Sequence, residues 1–354
     1  IDTTRWTINN FMSWVASDNP RTYYSHLMKQ YDVDLKRVPL STQKMVYYPT
    51  NKIRVPVNKK NVIESGIVKE EDFELIVDYI DIDLPKSGLY KNRLMMLDIL
   101  NNNDWKRPIY FTGGSFQDEE YIWMKDYLQL EGLVYKLVPI KTPENPENPY
   151  QLGRIDSEKM LKIIKKWDWG NSKSRNIYHD PETRKNSISF RSNLVRLADK
   201  LIQEEKFEKA EEVLDIAMEN MPVEFFGFYS LLTPFVSAYQ KIDRNEKANS
   251  LATTLNTKYI QKLNFFKSFN LKSQQNYSEQ IFTEIERYRN LVDSSCDYND
   301  KNGFCHILIQ DFIKNTSDFS LLYSAYEYFL PMTNYISILS VSYTHLRAHE
   351  TLPN

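Results

Sequence analysis

The chain has few of the residues that build metal sites or disulfide frameworks. Its 354 residues include two cysteines and five histidines. His306 lies beside Cys305, but no second Cys/His pair is spaced to complete a tetrahedral metal site. His345 and His349 lie in the C-terminal tail that is interpreted below as non-native, and His26, His179 and His306 are far apart in sequence, which argues against histidine-based catalysis. The sequence therefore predicts no metal site.

Long apolar runs and an excess of charge are also missing. No run approaches the roughly 18 to 20 apolar residues that a membrane-spanning helix needs, so a soluble fragment is predicted. The net charge is −2, so the overall charge predicts neither nucleic acid nor an anionic membrane surface as a partner. Only nine glycines stand against 24 tyrosines and 18 phenylalanines. This composition is typical of packed elements with aromatic surfaces rather than of flexible linkers.

Cys296 and Cys305 lie nine positions apart around a turn rich in Asp and Asn. A hairpin of this length can bring the two residues within bridging distance in an oxidising compartment. Two unpaired thiols on neighbouring helices fit the sequence equally well. Both interpretations stay open at this point.

Residues 1–78 predict a helix and short strands. Thr7 is a plausible N-cap for a helix whose apolar positions, from Ile8 to Val15, recur at helical spacing. Met45–Tyr48 and Lys52–Val57 are strand candidates, and Pro56 predicts that the second lies at a sheet edge.

Residues 79–154 predict a small α/β domain. Strand patterns at Tyr79–Leu84, Pro108–Phe111 and Leu133–Ile140 alternate with helix patterns at Leu89–Asn101 and Asp118–Leu128. Such β-α-β-α-β alternation favours right-handed crossovers and a mainly parallel sheet. Tyr79–Leu84, Pro108–Phe111 and the Leu133–Val138 part of the third strand are therefore expected to be neighbours in one sheet.

Residues 155–186 predict a helix capped by Asp156 and then an irregular connector, and residues 187–340 predict an all-α tetratricopeptide-like array. In one helix pair the inward positions are Leu194, Leu197, Ala198, Leu201, Ala210, Leu214 and Ala217. A second, degenerate pair would bury Leu232, Phe235, Tyr239, Ala248 and Ala252. Further helices are predicted at Glu279–Val292, Phe304–Lys314 and Phe319–Tyr328.

The candidate binding site gathers aromatic and guanidinium groups near the Pro108–Phe111 strand. In open α/β sheets, ligands bind at the carboxyl ends of the strands. Recognition of a sugar or a peptide there would use Trp105, Arg107, Tyr110, Tyr121 and Trp123. The structural alternative is that the two tryptophans pack the helices while Arg107 pairs with Asp98 or Asp104.

Two further patterns are weaker. Gly113-Gly114-Ser115 stands where phosphate loops occur, but Asp118 and its acidic neighbours would repel an anion, so turn residues are the favoured interpretation. Trp167-Asp168-Trp169 and Tyr178-His179-Asp180 form either a functional loop or an ordered seam. No carboxylate pair identifies a glycosidase, so no catalytic residue and no cofactor is assigned.

The segment Lys91–Ile140, KNRLMMLDILNNNDWKRPIYFTGGSFQDEEYIWMKDYLQLEGLVYKLVPI, resembles the C-terminal region of a family of bacterial membrane proteins. That family is number 2723 of the domains of unknown function, found mainly in Bacteroidetes, and its animal relatives resemble protein O-mannosyltransferases. The resemblance implies a parent glycosyltransferase using lipid-linked sugars, with this fragment on the periplasmic face of the inner membrane. It implies that the parent's membrane domain, absent here, is a partner.

The tail Val341–Thr351, VSYTHLRAHET, resembles a translated sequencing adapter. Residues 341–354 are therefore interpreted as non-native, with the natural sequence cut near Ser340.

The leading hypothesis is a non-catalytic accessory module that engages an acceptor protein or glycan. The alternative is a protein-interaction scaffold without sugar chemistry, and a self-contained α/β enzyme ranks last.

Overall fold

The computed structural model describes residues 4–48, 50–85, 88–112, 123–142, 151–296, 303–325 and 335. By contacts it divides into two compact units, residues 1–164 and 165–354. The predicted non-native tail from Val341, the glycine turn at 113–114 and Tyr121 lie outside the described residues.

The first unit contains two small sheets. One sheet has the order β1 (Trp6–Thr7), β2 (Lys52–Pro56), β3 (Tyr79–Asp83), in which β1 and β2 are parallel and β2 and β3 antiparallel. The other has the order β4-β6-β5-β7, with bounds β4 (Tyr110–Thr112), β5 (Leu128–Glu131), β6 (Val134–Leu137) and β7 (Arg154–Ile155). Only β5 and β7 are parallel in this second sheet.

The prediction of one mainly parallel sheet is therefore wrong. Tyr79–Asp83 lies in the first sheet, whereas the strands after Pro108 and Leu133 pair antiparallel in the second. The cause is β5, a strand that the sequence analysis did not predict; only its first residue, Leu128, fell within the helix predicted at Asp118–Leu128. The described end of that segment is a 3₁₀ turn, Lys125–Tyr127, followed by a strand. Gly132, with φ of 69°, closes a tight hairpin that reverses the chain between β5 and β6.

Pro56 lies on a central strand, not at an edge, because β2 is flanked by β1 and β3. Its missing N–H is nevertheless tolerated. The short β1 pairs only with Ile53 and Arg54, so Pro56 lies beyond the end of β1.

Among its described residues, the first unit has the helices α1 (Ile8–Val15), α2 (Tyr24–Gln30), α3 (Leu40–Gln43), α4 (Lys59–Glu64), α5 (Lys91–Asn103) and α6 (Ser157–Ile164). The predicted cap of α1 is confirmed, since the Thr7 hydroxyl accepts from the Asn10 N–H at 3.3 Å. The Asp156 carboxylate accepts from the Lys159 N–H at the start of α6, as predicted. Side chains from α1, β2, β3 and α5 share one hydrophobic core that includes Phe11, Ile53, Ile82 and Leu97.

The second unit is helical. Its elements are α7 (Pro181–Gln203), α8 (Phe207–Asn220), α9 (Val223–Phe226), α10 (Thr233–Lys241), α11 (Asn245–Lys267), α12 (Leu271–Asn276), α13 (Ser278–Cys296), α14 (Phe304–Thr316) and α15 (Ser320–Ala325). Three successive pairs, α7/α8, α10/α11 and α13/α14, pack side by side, and the first helix of each pair contacts the first helix of the next.

The predicted inward positions of the first two pairs are confirmed. Leu194, Ala198, Ala210 and Ala217 are fully buried, and so are Phe235, Ala248 and Ala252 of the second pair. Helix α7 begins at Pro181, six residues before the predicted start at Ser187. The cap explains the difference, because the Asp180 carboxylate accepts from the backbone of Glu182 and Thr183 and Pro181 occupies the first turn. Cys296 and Cys305 are joined by a disulfide between α13 and α14.

Candidate functional site

The structure places Trp105 in the core rather than on a binding surface. Its side chain is 6% exposed, and its indole N–H donates to the Pro56 carbonyl at 2.8 Å. Asp104 and Trp105 both have positive φ, which turns the chain out of α5 and directs the ring inward. Trp105 is thus held in place by the first sheet.

The other described residues of the predicted cluster differ in their exposure and in their contacts. Arg107 is exposed. The side-chain amide of Asn103 accepts from the Arg107 N–H and donates to the Arg107 carbonyl. Trp123 packs partly buried against the core, with the Arg93 guanidinium 5.7 Å from its ring centroid. Tyr110 is 47% exposed.

The suggested partners of Arg107 have other contacts. Asp98 accepts from the Asn102 amide at 2.9 Å. Asp104 accepts from Asn58 and Asn61 and lies 3.7 Å from the Lys106 ammonium.

Tyr110 leads instead to a buried polar network that the sequence analysis missed. Its hydroxyl donates to Glu131 Oε2 at 3.2 Å, and the other Glu131 oxygen accepts from Gln129 at 2.9 Å and from Lys159 at 2.7 Å. The Lys136 ammonium lies 3.8 Å from the same oxygen. The signal that could have revealed this network is the strand-like alternation of Leu128 and Leu130 with two polar residues in β5.

Lys136 is the most perturbed group of this network. Its side chain is 1% exposed and donates to the carbonyls of Gly66 at 3.1 Å and Ile67 at 2.8 Å. Burial lowers the pKa of Lys136 to about 8, against the opposing attraction of Glu131. The pKa of Lys159 is instead raised above its ordinary value. Burial alone would lower this pKa, but the hydrogen bond and the charge of Glu131 outweigh the effect of burial.

The geometry assigns this network to stability rather than to chemistry. The side chains of Glu131 and Lys136 are 4% and 1% exposed, so a substrate has no access to them. Their polar contacts described above join parts of the first unit: the β5–β6 hairpin, β4 through Tyr110, the turn at Gly66 and helix α6. A perturbed pKa in a closed site of this kind marks an ion network.

The two polar-aromatic patterns of the connector are used in local packing. Trp167, Trp169 and Phe190 form a three-ring cluster with centroid separations of 5.1 to 5.6 Å. His179 is 8% exposed, packs on Phe226 at 4.5 Å and contacts the Ser172 carbonyl at 2.9 Å. The carboxylates of Asp168 and Asp180 accept hydrogen bonds from the backbone N–H groups of Gly170 and Glu182.

An open groove of about 430 Å³ lies in the helical unit, across the first helices of the three pairs. Helices α7, α10 and α13 and the turn before α10 provide its lining, which consists of Asp199, Ser230, Thr233, Pro234, Ser237, Lys241, Arg287, Asn290 and Ser294. None of these lining residues is aromatic.

The groove combines few charges with many neutral hydrogen-bonding groups. The Lys241 ammonium lies 3.8 Å from the Asp199 carboxylate, and Arg287 lies 3.5 Å from Glu284. Burial raises the pKa of Asp199, while Lys241 opposes this effect. Both cations therefore have acidic neighbours in the same unit, and the hydroxyls and the Asn290 amide supply the remaining polar groups.

A regular spacing could have identified this groove from the sequence. Thr233, Ser237 and Lys241 recur every four residues on α10, and so share one face of that helix. Arg287, Asn290 and Ser294, spaced three and then four residues apart, share one face of α13, opposite buried positions such as Ile285 and Val292.

Neither a metal cluster nor a membrane span is found in the part of the chain that the structure describes. No group of three or more His, Cys, Asp or Glu side chains there could hold a metal ion. No helix there is long and apolar enough to cross a membrane.

Comparison with known families gives a match within the first unit. Residues 2–159 match the family model of TMEM260-associated domain 2. No curated protein and no solved structure matches the chain. The match to the TMEM260-associated domain includes both sheets and the Glu131 network, whereas the groove lies in the helical unit beyond it.

Proposed function

We propose that this chain is a non-catalytic accessory region of a membrane glycosyltransferase-like protein, and that its helical unit binds an extended segment of an acceptor protein. The match of residues 2–159 to a TMEM260-associated domain supports the link to a membrane protein. The groove across the first helices of three successive pairs carries the binding role. In this proposal the chain works on the periplasmic face of the membrane, beside the membrane domain of its parent.

The lining chemistry favours a peptide over a glycan. An extended peptide presents an N–H and a C=O at each residue, and these need hydrogen-bonding partners when they leave water. Such partners line the groove on α10, on α13 and on the turn before α10: Ser230, Thr233, Ser237, Asn290 and Ser294. A tetratricopeptide-like array of helix pairs presents just this kind of extended concave surface. The aromatic faces that would cover the apolar side of a sugar ring are not among the lining residues.

A phage-displayed library of random peptides and a glycan array, applied to the full chain, test the proposal together. We expect peptides to be enriched and glycans not. Ser237→Trp places a large side chain in the groove and should weaken peptide binding by about tenfold or more. The matched control is Thr257→Trp, since Thr257 is an exposed residue of α11 outside the groove. Binding of glycans alone, or equal loss in both variants, would contradict a peptide groove.

The same variant distinguishes the acceptor role from a scaffold without sugar chemistry. In the full-length parent, Ser237→Trp should reduce glycosylation of the acceptor protein while Thr257→Trp leaves it unchanged. If peptide binding is lost in the first variant and glycosylation is unaffected, the groove serves a scaffold.

A further inference from the structure

A long basic segment lies within this nearly neutral chain. From Lys247 to Ser278 there are five lysines and no acidic residue, although the whole chain has a net charge of −2. The segment covers most of α11, all of α12 and the start of α13. The overall charge conceals this local excess.

Exposed apolar side chains accompany these lysines at the end of α11. Phe265 is 52% exposed, and Leu271 and Tyr277 are each 46% exposed. The rings of Phe265 and Phe269 are 4.8 Å apart, and those of Phe269 and Tyr277 are 5.5 Å apart. The apolar tip consists of these three linked rings and Leu271, which follows Phe269 by two residues. Buried Phe266 anchors it, 6.0 Å from the Phe269 ring.

Cationic groups surround this tip. The Lys262 ammonium lies 5.3 Å from the Phe265 ring centroid and 5.0 Å from that of Phe266. Lys258 is one turn earlier on α11, and exposed Lys272 follows Leu271. Two acids are close in the fold or the sequence: Asp318 pairs with Lys267 at 2.6 Å, and exposed Glu279 begins α13.

We propose that this apolar tip and its lysines form a docking surface for an anionic lipid bilayer. Aromatic rings and leucine enter the headgroup region of a bilayer, and lysines beside them pair with the phosphates of anionic lipids. The four lysines from Lys258 to Lys272 outnumber the two acids, so the charge of the tip complements an anionic surface. None of these residues lines the groove, so the inference does not rest on the proposed function.

Vesicle co-sedimentation of the full chain tests this inference. The probes are vesicles of phosphatidylcholine with phosphatidylglycerol and vesicles of phosphatidylcholine alone. We expect binding to the anionic vesicles, with a loss in high salt because surface charges are then screened. Lys262→Gln with Lys272→Gln should weaken this binding by about 25-fold, since each lysine near an anionic surface strengthens it by about fivefold. Phe265→Ser with Leu271→Ser should weaken it by about tenfold or more.

Matched controls separate the tip from general effects. Ile307→Ser removes an apolar side chain that is 54% exposed on α14, close to the 52% of Phe265. Lys209→Gln removes an exposed lysine of α8. Neither should change vesicle binding, and circular dichroism should show that all variants keep their helix content. The inference is overturned if the wild type binds neither vesicle or both equally. It is also overturned if the controls lose as much binding as the tip variants, or if light scattering shows that the tip variants abolish a dimer instead.

Discussion

Replacing Lys136 by Met should change how the stability of this protein depends on pH. The Lys136 side chain is 1% exposed, and its ammonium lies among two backbone carbonyls and the Glu131 carboxylate. Burial lowers the pKa of Lys136 from 10.5 to about 8 in the folded protein. Between these two values the unfolded chain holds a proton that the folded chain has lost. The free energy of unfolding therefore rises with pH in this window, and below it both states carry the charge.

The size of the effect follows from the two pKa values. Raising the pH from about 7.5 to about 9.5 should increase the stability of the wild type relative to Lys136→Met by about 2 kcal/mol. Lys159 should contribute little there, because Glu131 outweighs the effect of burial and holds the pKa of Lys159 above its ordinary value. The loss of hydrogen bonds to Gly66 and Ile67 affects the variant at both pH values, so it cancels in the comparison.

Urea unfolding followed by tryptophan fluorescence at the two pH values measures this difference. Lys60→Met serves as the control, since its side chain is 80% exposed and meets similar surroundings in the folded and unfolded chain. It should show the same pH dependence as the wild type. If the stability difference between the wild type and Lys136→Met is equal at the two pH values, or shrinks as the pH rises, the assigned effect of burial on Lys136 is wrong.

Three further variants test the packing of both units. Trp105→Phe should lower the stability of the first unit by about 1 to 3 kcal/mol in urea unfolding, because the Pro56 carbonyl loses its donor. An unchanged urea midpoint would contradict a structural role for this hydrogen bond. Arg191→Met should cost about 2 to 5 kcal/mol by the same assay, because the fully buried guanidinium donates to the carbonyls of Met221 and Gly227. Cys296→Ser should lower the free energy of unfolding by about 2 to 3 kcal/mol, and a reductant should produce the same loss in the wild type but not in the variant. Equal sensitivity of the two proteins to reductant would contradict this.

The helical unit was largely predictable because its determinants are local. Periodic apolar residues and small residues at helix crossings predicted Ala198, Ala210 and Ala217 as buried, and they are. The first turn of α1 was equally clear from Thr7. The start of α7 at Pro181, before the predicted start, was also predictable from the sequence, because Asp180 is a favourable N-cap and Pro181 follows it.

The sheets were decided by tertiary structure, because strand pairing joins residues far apart in the chain. Alternating patterns predicted the existence of β3 and β6 but not their partners, and one hairpin at Gly132 changed the expected sheet into two mixed ones. The roles of Trp105 and Tyr110 changed with it: a carbonyl of β2 holds Trp105 in the core, and Glu131 of β5 accepts from Tyr110. A sequence determines which side chains are apolar and which carry charge, but only the fold decides which of them contact one another. The groove and the apolar tip follow the same rule, since each consists of ordinary residues that three neighbouring helices bring to one surface.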